Sequence, residues 1–172
     1  KRLDVMLGGG YFRGSTVLVS GTPGSGKTSV AAAFAQASCA RGERCLLFAF
    51  EESPQQLARN MSSIGMDLGR WRKSGLLRVE SARPAVYGLE THLAFMHRTI
   101  RDFRPAAVLV DPITDFTDSL ADNKAMLTRL IDFLKMEGIT AVFTSLTSAG
   151  TRLEQEAGVS SLIDTWIVLR DL

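Results

Sequence analysis

At 172 residues, 45% apolar and 22% charged, the chain has the make-up of one soluble globular domain with a two-sided core. Its net charge of +2 excludes a broad basic field for nucleic acid and a polybasic membrane patch. No apolar run reaches the roughly 18 residues that a membrane span needs.

A short apolar run, Thr16–Ser20, predicts the first strand. It leads into Gly21-Thr22-Pro23-Gly24-Ser25-Gly26-Lys27-Thr28 and then a predicted helix over Lys27–Ala40. Further strands are predicted over Cys45–Phe50, Leu76–Glu80, Ala107–Asp111, Ile139–Ser145 and Thr165–Leu169. Helices are predicted over Pro54–Ile64, Gly88–Phe103 and Asn123–Glu137. Ser53, Pro54 and Gln56 form a helix start signal, and Gly138 a stop. Near-continuous apolar strands alternating with helices imply an α/β fold, a mostly parallel central sheet with helices on both faces. No internal repeat or low-complexity linker interrupts it.

Cys39 and Cys45 lie in apolar segments and read as buried free thiols of a reducing cytoplasm. The first residues carry no signal-peptide pattern, so a cytoplasmic protein is expected. His92 and His97 are five residues apart, the wrong spacing for a metal pair on one helix. The chain opens without Met and stops directly after a strand-like run. It is therefore expected to be a single domain, truncated at its C-terminus, from a longer protein.

Residues 21–28 match G-x-x-x-x-G-K-[ST] in full, in the strand–loop–helix setting that gives the pattern its meaning. The glycines let successive N–H groups turn inward around a polyphosphate, and the helix start faces the same anion. The candidate nucleotide contacts are Thr22, Pro23, Gly24, Ser25, Gly26, Lys27, Thr28 and Ser29. Lys27 is expected to reach the β- and γ-phosphates, and the Thr28 hydroxyl to ligate Mg²⁺. Asp111 ends an apolar strand, Ala107–Asp111, as a Walker B carboxylate does when it holds Mg²⁺. Glu51 and Glu52 follow the strand expected to neighbour the loop strand, where ligands of open α/β sheets bind. One of them is a candidate base for the nucleophile that attacks the γ-phosphate, and Glu52 is also a candidate metal ligand. Strand alternation turns the two acids in different directions, so one can serve catalysis while the other favours the helix start that follows. Thr144-Ser145 either senses the γ-phosphate or closes its strand. The stretch Leu146–Gly158 reads as a polar loop, followed by Ser160-Ser161.

Together with Gly8-Gly9-Gly10, Arg13-Gly14-Ser15, Phe50-Glu51-Glu52-Ser53, Gly65-Met66-Asp67 and Val159-Ser160-Ser161-Leu162-Ile163-Asp164-Thr165, these segments resemble the KaiC family along essentially the whole chain. That family comprises RecA-like ATPases and autokinases of circadian clock systems. The resemblance implies a RecA-like P-loop NTPase domain, one of two in tandem, in a homohexamer with ATP and Mg²⁺ between subunits. It makes Glu51 and Glu52 the catalytic pair and Asp111 the Walker B acid. It makes Ser160 and Ser161 the adjacent phosphorylation sites of the second, kinase domain, where the family carries Ser then Thr. It implies KaiB-like clock or regulatory partners. The family's basic residues that reach a neighbour's γ-phosphate come after the end of this sequence.

Two other readings share the loop. A RecA-like DNA motor needs basic or aromatic channel loops. Residues 146–158 offer Arg152 against Glu154 and Glu156, with no aromatic. A regulatory ATP-binding scaffold has no need of the Glu51-Glu52 pair.

Overall fold

The structure is a computed structural model that describes residues 2–81, 89–113, 120–146 and 162–170. In chain order its elements are α1 (Arg2–Met6), β1 (Thr16–Gly21), α2 (Lys27–Ala40), β2 (Cys45–Ala49), α3 (Pro54–Ser63) and α4 (Leu68–Lys73). They continue with β3 (Leu77–Glu80), α5 (Leu89–Phe103), β4 (Ala107–Asp111), α6 (Leu120–Met136), β5 (Thr140–Leu146) and β6 (Thr165–Leu169). Among the described residues the strands form one sheet in the order β3-β2-β4-β5-β1-β6, every pair parallel. This is the parallel α/β architecture expected from the alternating pattern, and it is consistent with the RecA-like fold that the resemblance implies.

Period-2 alternation along each strand feeds two cores. On one face Val108 and Val110 of β4 join Phe48, Phe143, Met96, Ile100, Leu130 and Ile131, under α5 and α6. On the other, Ala107 and Leu109 join Val17, Leu47, Val142, Ala31, Ala35 and Leu57, under α2, α3 and α4. Burial on both faces explains why the strands read as unbroken apolar runs. Cys39 and Cys45 are buried free thiols within the second core. Burial pushes the Cys39 thiol up to about 11 and the Cys45 thiol well above its ordinary value.

The strand predictions hold to within one residue at their ends. Two short helices, α1 and α4, were not expected. α4 starts where the Asp67 side chain accepts a 3.1 Å bond from the Arg70 N–H. α6 starts at Leu120, three residues before the predicted Asn123. The predicted start of α5, Gly88, lies outside the described residues. Gly138, at φ +66°, ends the α6 segment as expected.

Side chains at the start of the edge strand β6 fasten it to both ends of β1. The Asp164 carboxylate accepts from the Thr16 N–H at 2.7 Å, and the Asp164 N–H donates to the Thr16 carbonyl at 2.9 Å. The Trp166 indole N–H donates to the Ser20 hydroxyl at 2.7 Å. Lys135 reaches from α6 to the Leu162 carbonyl and Asp164. At the opposite, amino-terminal end of β4 and β5 lies a cavity of about 630 Å³ lined by Tyr11, Val30, Phe34, Ala106 and Thr140. Among the described residues no helix is long and apolar enough to cross a membrane.

Candidate nucleotide site

β1 delivers the chain to Gly21 against the end of β6. A Cβ on Gly21 would sit 2.8 Å from the Leu169 carbonyl oxygen, closer than such atoms pack, so the strand pair itself demands glycine. The chain then turns, with the Ser25 N–H on the Thr22 carbonyl at 3.2 Å. Gly26 enters α2 in the left-handed region, φ +92°, and supplies no side-chain cap. The first N–H groups of α2 have no carbonyl of their own helix to bond. An uncapped helix start on a glycine turn is an anion cradle. Thr22, Ser25, Gly26, Thr28 and Ser29 are half-buried around it, and Pro23 and Gly24 are exposed at its tip. The Ser25 hydroxyl oxygen is buried with no hydrogen-bond partner, as expected of a loop shaped around a ligand.

Lys27 is buried. Its ammonium donates to the Gly21 and Thr22 carbonyls at 2.9 and 2.6 Å. Desolvation lowers its pKa, while the charges of Asp111 and Glu51 act in the opposite direction. Lys27, at the start of α2, thus feels the charges of Asp111, at the end of β4, and of Glu51, between β2 and α3.

Asp111 closes β4. Its carbonyl accepts from the Phe50 N–H at 2.9 Å, which ties the Glu51-Glu52 segment to the Walker B strand. Its carboxylate accepts a hydrogen bond from the Thr144 hydroxyl on β5. The two glutamates diverge, as alternation implied. Glu51 is exposed and acts on Lys27. Glu52 is half-buried, and its Oε1 accepts from the Asn60 amide on α3 at 3.0 Å.

Ser160 and Ser161, the candidate phosphorylation sites, lie outside the described residues. His92 and His97 pack singly, against Phe50 and Phe133, with ring centroids 4.9 and 4.2 Å apart. Burial lowers the pKa of both. Sequence reasoning missed Asn60 as a partner of Glu52, Thr144 as a partner of Asp111 and Trp166 as a partner of Ser20. Asn60 follows Glu52 by eight residues, with a strand end and a helix cap between them. The other two bonds join strands far apart in sequence, so no local pattern marks them.

The candidate oxygen donors, the Thr28 hydroxyl and the Asp111 and Glu52 carboxylates, are of the kind that Mg²⁺ takes. That ion keeps several waters and takes few protein ligands beside phosphate oxygens. Among the described residues no three His, Cys, Asp or Glu side chains gather as a metal centre would require. The donor chemistry fits a nucleotide-bound Mg²⁺.

The family model of the KaiC ATPase matches residues 1–171. The chain belongs to the KaiC family. Among curated proteins it is 49% identical to circadian clock protein KaiC2 of Synechocystis, over 99% of this chain and 31% of that protein. It is 38% identical to the circadian clock oscillator protein KaiC of Thermostichus vulcanus, over 99% of this chain and 34% of that protein. It is likewise 38% identical to circadian clock protein KaiC3 of Synechocystis, over 99% and 34%. The chain spans about a third of the length of these relatives, one KaiC half-domain. Membership in an ATPase family implies nucleotide binding, and the cradle at α2 is the candidate place for it.

Proposed function

We propose that this domain binds Mg-ATP, hydrolyses it and phosphorylates its own serines, as one domain of a tandem, hexameric, cytoplasmic KaiC-like protein. The observation that carries the reading is that Lys27 feels the charges of Asp111 and Glu51 beside an uncapped phosphate loop. Lys27 and the α2 N–H groups bind the β- and γ-phosphates. Thr28 and Asp111 hold Mg²⁺, which when bound neutralises charge on the phosphate oxygens. Glu51, exposed and close enough to act on Lys27, takes the proton of the attacking hydroxyl. The nucleophile's oxygen bonds to the γ-phosphorus as the bond to the ADP oxygen breaks. With water as nucleophile the products are phosphate and ADP; with Ser160 or Ser161 they are phosphoserine and ADP. Glu52, held by Asn60, positions the segment that carries Glu51. Positioning and charge stabilisation supply most of what such a transfer needs.

The relatives' names add a clock role, and KaiB-like or other regulatory proteins are the proposed partners. Incubating the full-length protein with Mg-ATP and mapping phosphosites by mass spectrometry tests the reading. Phosphate on Ser160 or Ser161, absent from Lys27→Ala, is the expected result. ADP release without phosphoserine would remove the kinase part and leave an ATPase. No nucleotide turnover at all would leave a nucleotide-binding scaffold.

A further inference from the structure

Thr144 is fully buried, and a buried hydroxyl has one proton to place. The register of β4 and β5 sets Val110 opposite Phe143, so Asp111 and Thr144 are the next pair along. The backbone fixes both partners. The Ile113 N–H donates to the Thr144 carbonyl at 2.8 Å, and the Phe50 N–H to the Asp111 carbonyl at 2.9 Å. The Thr144 hydroxyl donates to Asp111 Oδ1, so its proton faces the carboxylate rather than a phosphate. As a β-branched residue Thr144 has a stiff χ1, which makes that bond directional. The bond engages Oδ1 of Asp111, so a cation held by this carboxylate would take Oδ2.

We propose that Thr144 is a positioning residue. It orients the Asp111 carboxylate and so sets the affinity for the divalent cation that accompanies the nucleotide. This rests on the Mg-nucleotide reading above and replaces direct sensing of the γ-phosphate by Thr144. Partners that orient a metal-bound carboxylate typically contribute 10–100-fold to metal affinity.

The test titrates Mn²⁺, as a paramagnetic stand-in for Mg²⁺, into the full-length protein with ADP, read by electron paramagnetic resonance. ADP affinity is measured in parallel in chelator by calorimetry. Thr144→Val keeps the shape and removes the proton. It is expected to weaken Mn²⁺ binding about 10–100-fold, with metal-free ADP affinity unchanged. Thr144→Ser is expected to recover most of the loss. Should Thr144→Val fail to fold, Thr144→Ala, which also lacks a donor, is expected to show the same direction of change. Wild-type Mn²⁺ affinity in a folded Thr144→Val or Thr144→Ala protein overturns the proposal and leaves the nucleotide reading standing. Equal losses of Mn²⁺ and metal-free ADP affinity also overturn it, since a general distortion would explain both. A wild-type protein that binds ADP but no Mn²⁺ overturns the metal role of Asp111 and this proposal together. One that binds no ADP overturns the reading beneath both.

Discussion

Two helices begin beside the carboxyl end of the sheet and treat their first N–H groups in opposite ways. At α3, the Ser53 hydroxyl accepts from the Gln56 N–H at 3.3 Å, and the Gln56 side chain accepts from the Ser53 N–H at 3.1 Å. Pro54 then has no N–H to satisfy. At α2, Gly26 offers no side chain, and the first-turn donors face the cradle. The α3 start is completed by its own sequence, so its role is structural. The α2 start is left for an external anion, and its loop places Lys27 beside the same opening. Changing the Ser53 cap of α3 should therefore alter stability and leave nucleotide affinity alone, and changing a group at the α2 start should alter ligand binding.

The largest expected effect is that of Lys27→Ala. Loss of charge-assisted bonds to phosphate, about 3 kcal/mol, corresponds to roughly 100-fold weaker nucleotide binding. Calorimetric titration with ADP checks this, and unchanged affinity would break the assignment of α2 as the binding helix. Gly21→Ala comes next. Its Cβ would meet the Leu169 carbonyl at 2.8 Å, so β1 and β6 must part, at about 1–3 kcal/mol of stability. A thermal melt of the variant reads that loss. Gly26→Ala meets no atom within 4 Å, and its cost is that of a left-handed alanine, about 1–2 kcal/mol. Denaturant unfolding measures it, and the contrast separates crowding at one glycine from backbone conformation at the other.

Ser53→Ala should cost about 1 kcal/mol of stability and leave ADP affinity unchanged. A Ser53→Ala protein with weakened ADP binding would join the two helix starts rather than divide them. The smallest effect concerns pH. The bond from the Thr16 N–H is the largest cause holding the Asp164 carboxyl below its ordinary 3.8, and Lys135 adds to it. The unfolded chain then binds more protons in that range, so this contribution is present above about 3.8 and lost as pH falls through the folded value. Acid unfolding of Asp164→Asn, set against wild type, should lack that portion of the pH dependence.

Much of the domain was legible because its signals are local. The glycines and Lys27 of the phosphate loop, the Ser53-Pro54-Gln56 start and the apolar strands each announce themselves within a few residues. α4 escaped notice because it is short, contains Gly69 and carries a run of Arg70, Arg72 and Lys73 that shows no apolar stripe. Asp67, its cap, was visible but stood only as part of a family segment. The Asp111–Thr144 bond depends on strand register across 33 residues and the Trp166–Ser20 bond across 146, and such register is fixed by packing rather than by neighbours in sequence. The split between Glu51 and Glu52 was half legible. Alternation predicted divergence, but not that Asn60 would hold Glu52.

The Trp166–Ser20 bond has an optical consequence. Trp166 is one of two tryptophans, and its indole N–H rests one residue before the phosphate loop. Indole emission shifts with hydrogen bonding and nearby charge. In a Trp71→Phe background Trp166 would be the one tryptophan of these 172 residues, and its emission would report the arrival of nucleotide without any added label. Stopped-flow fluorescence of this domain would then time loop occupancy directly.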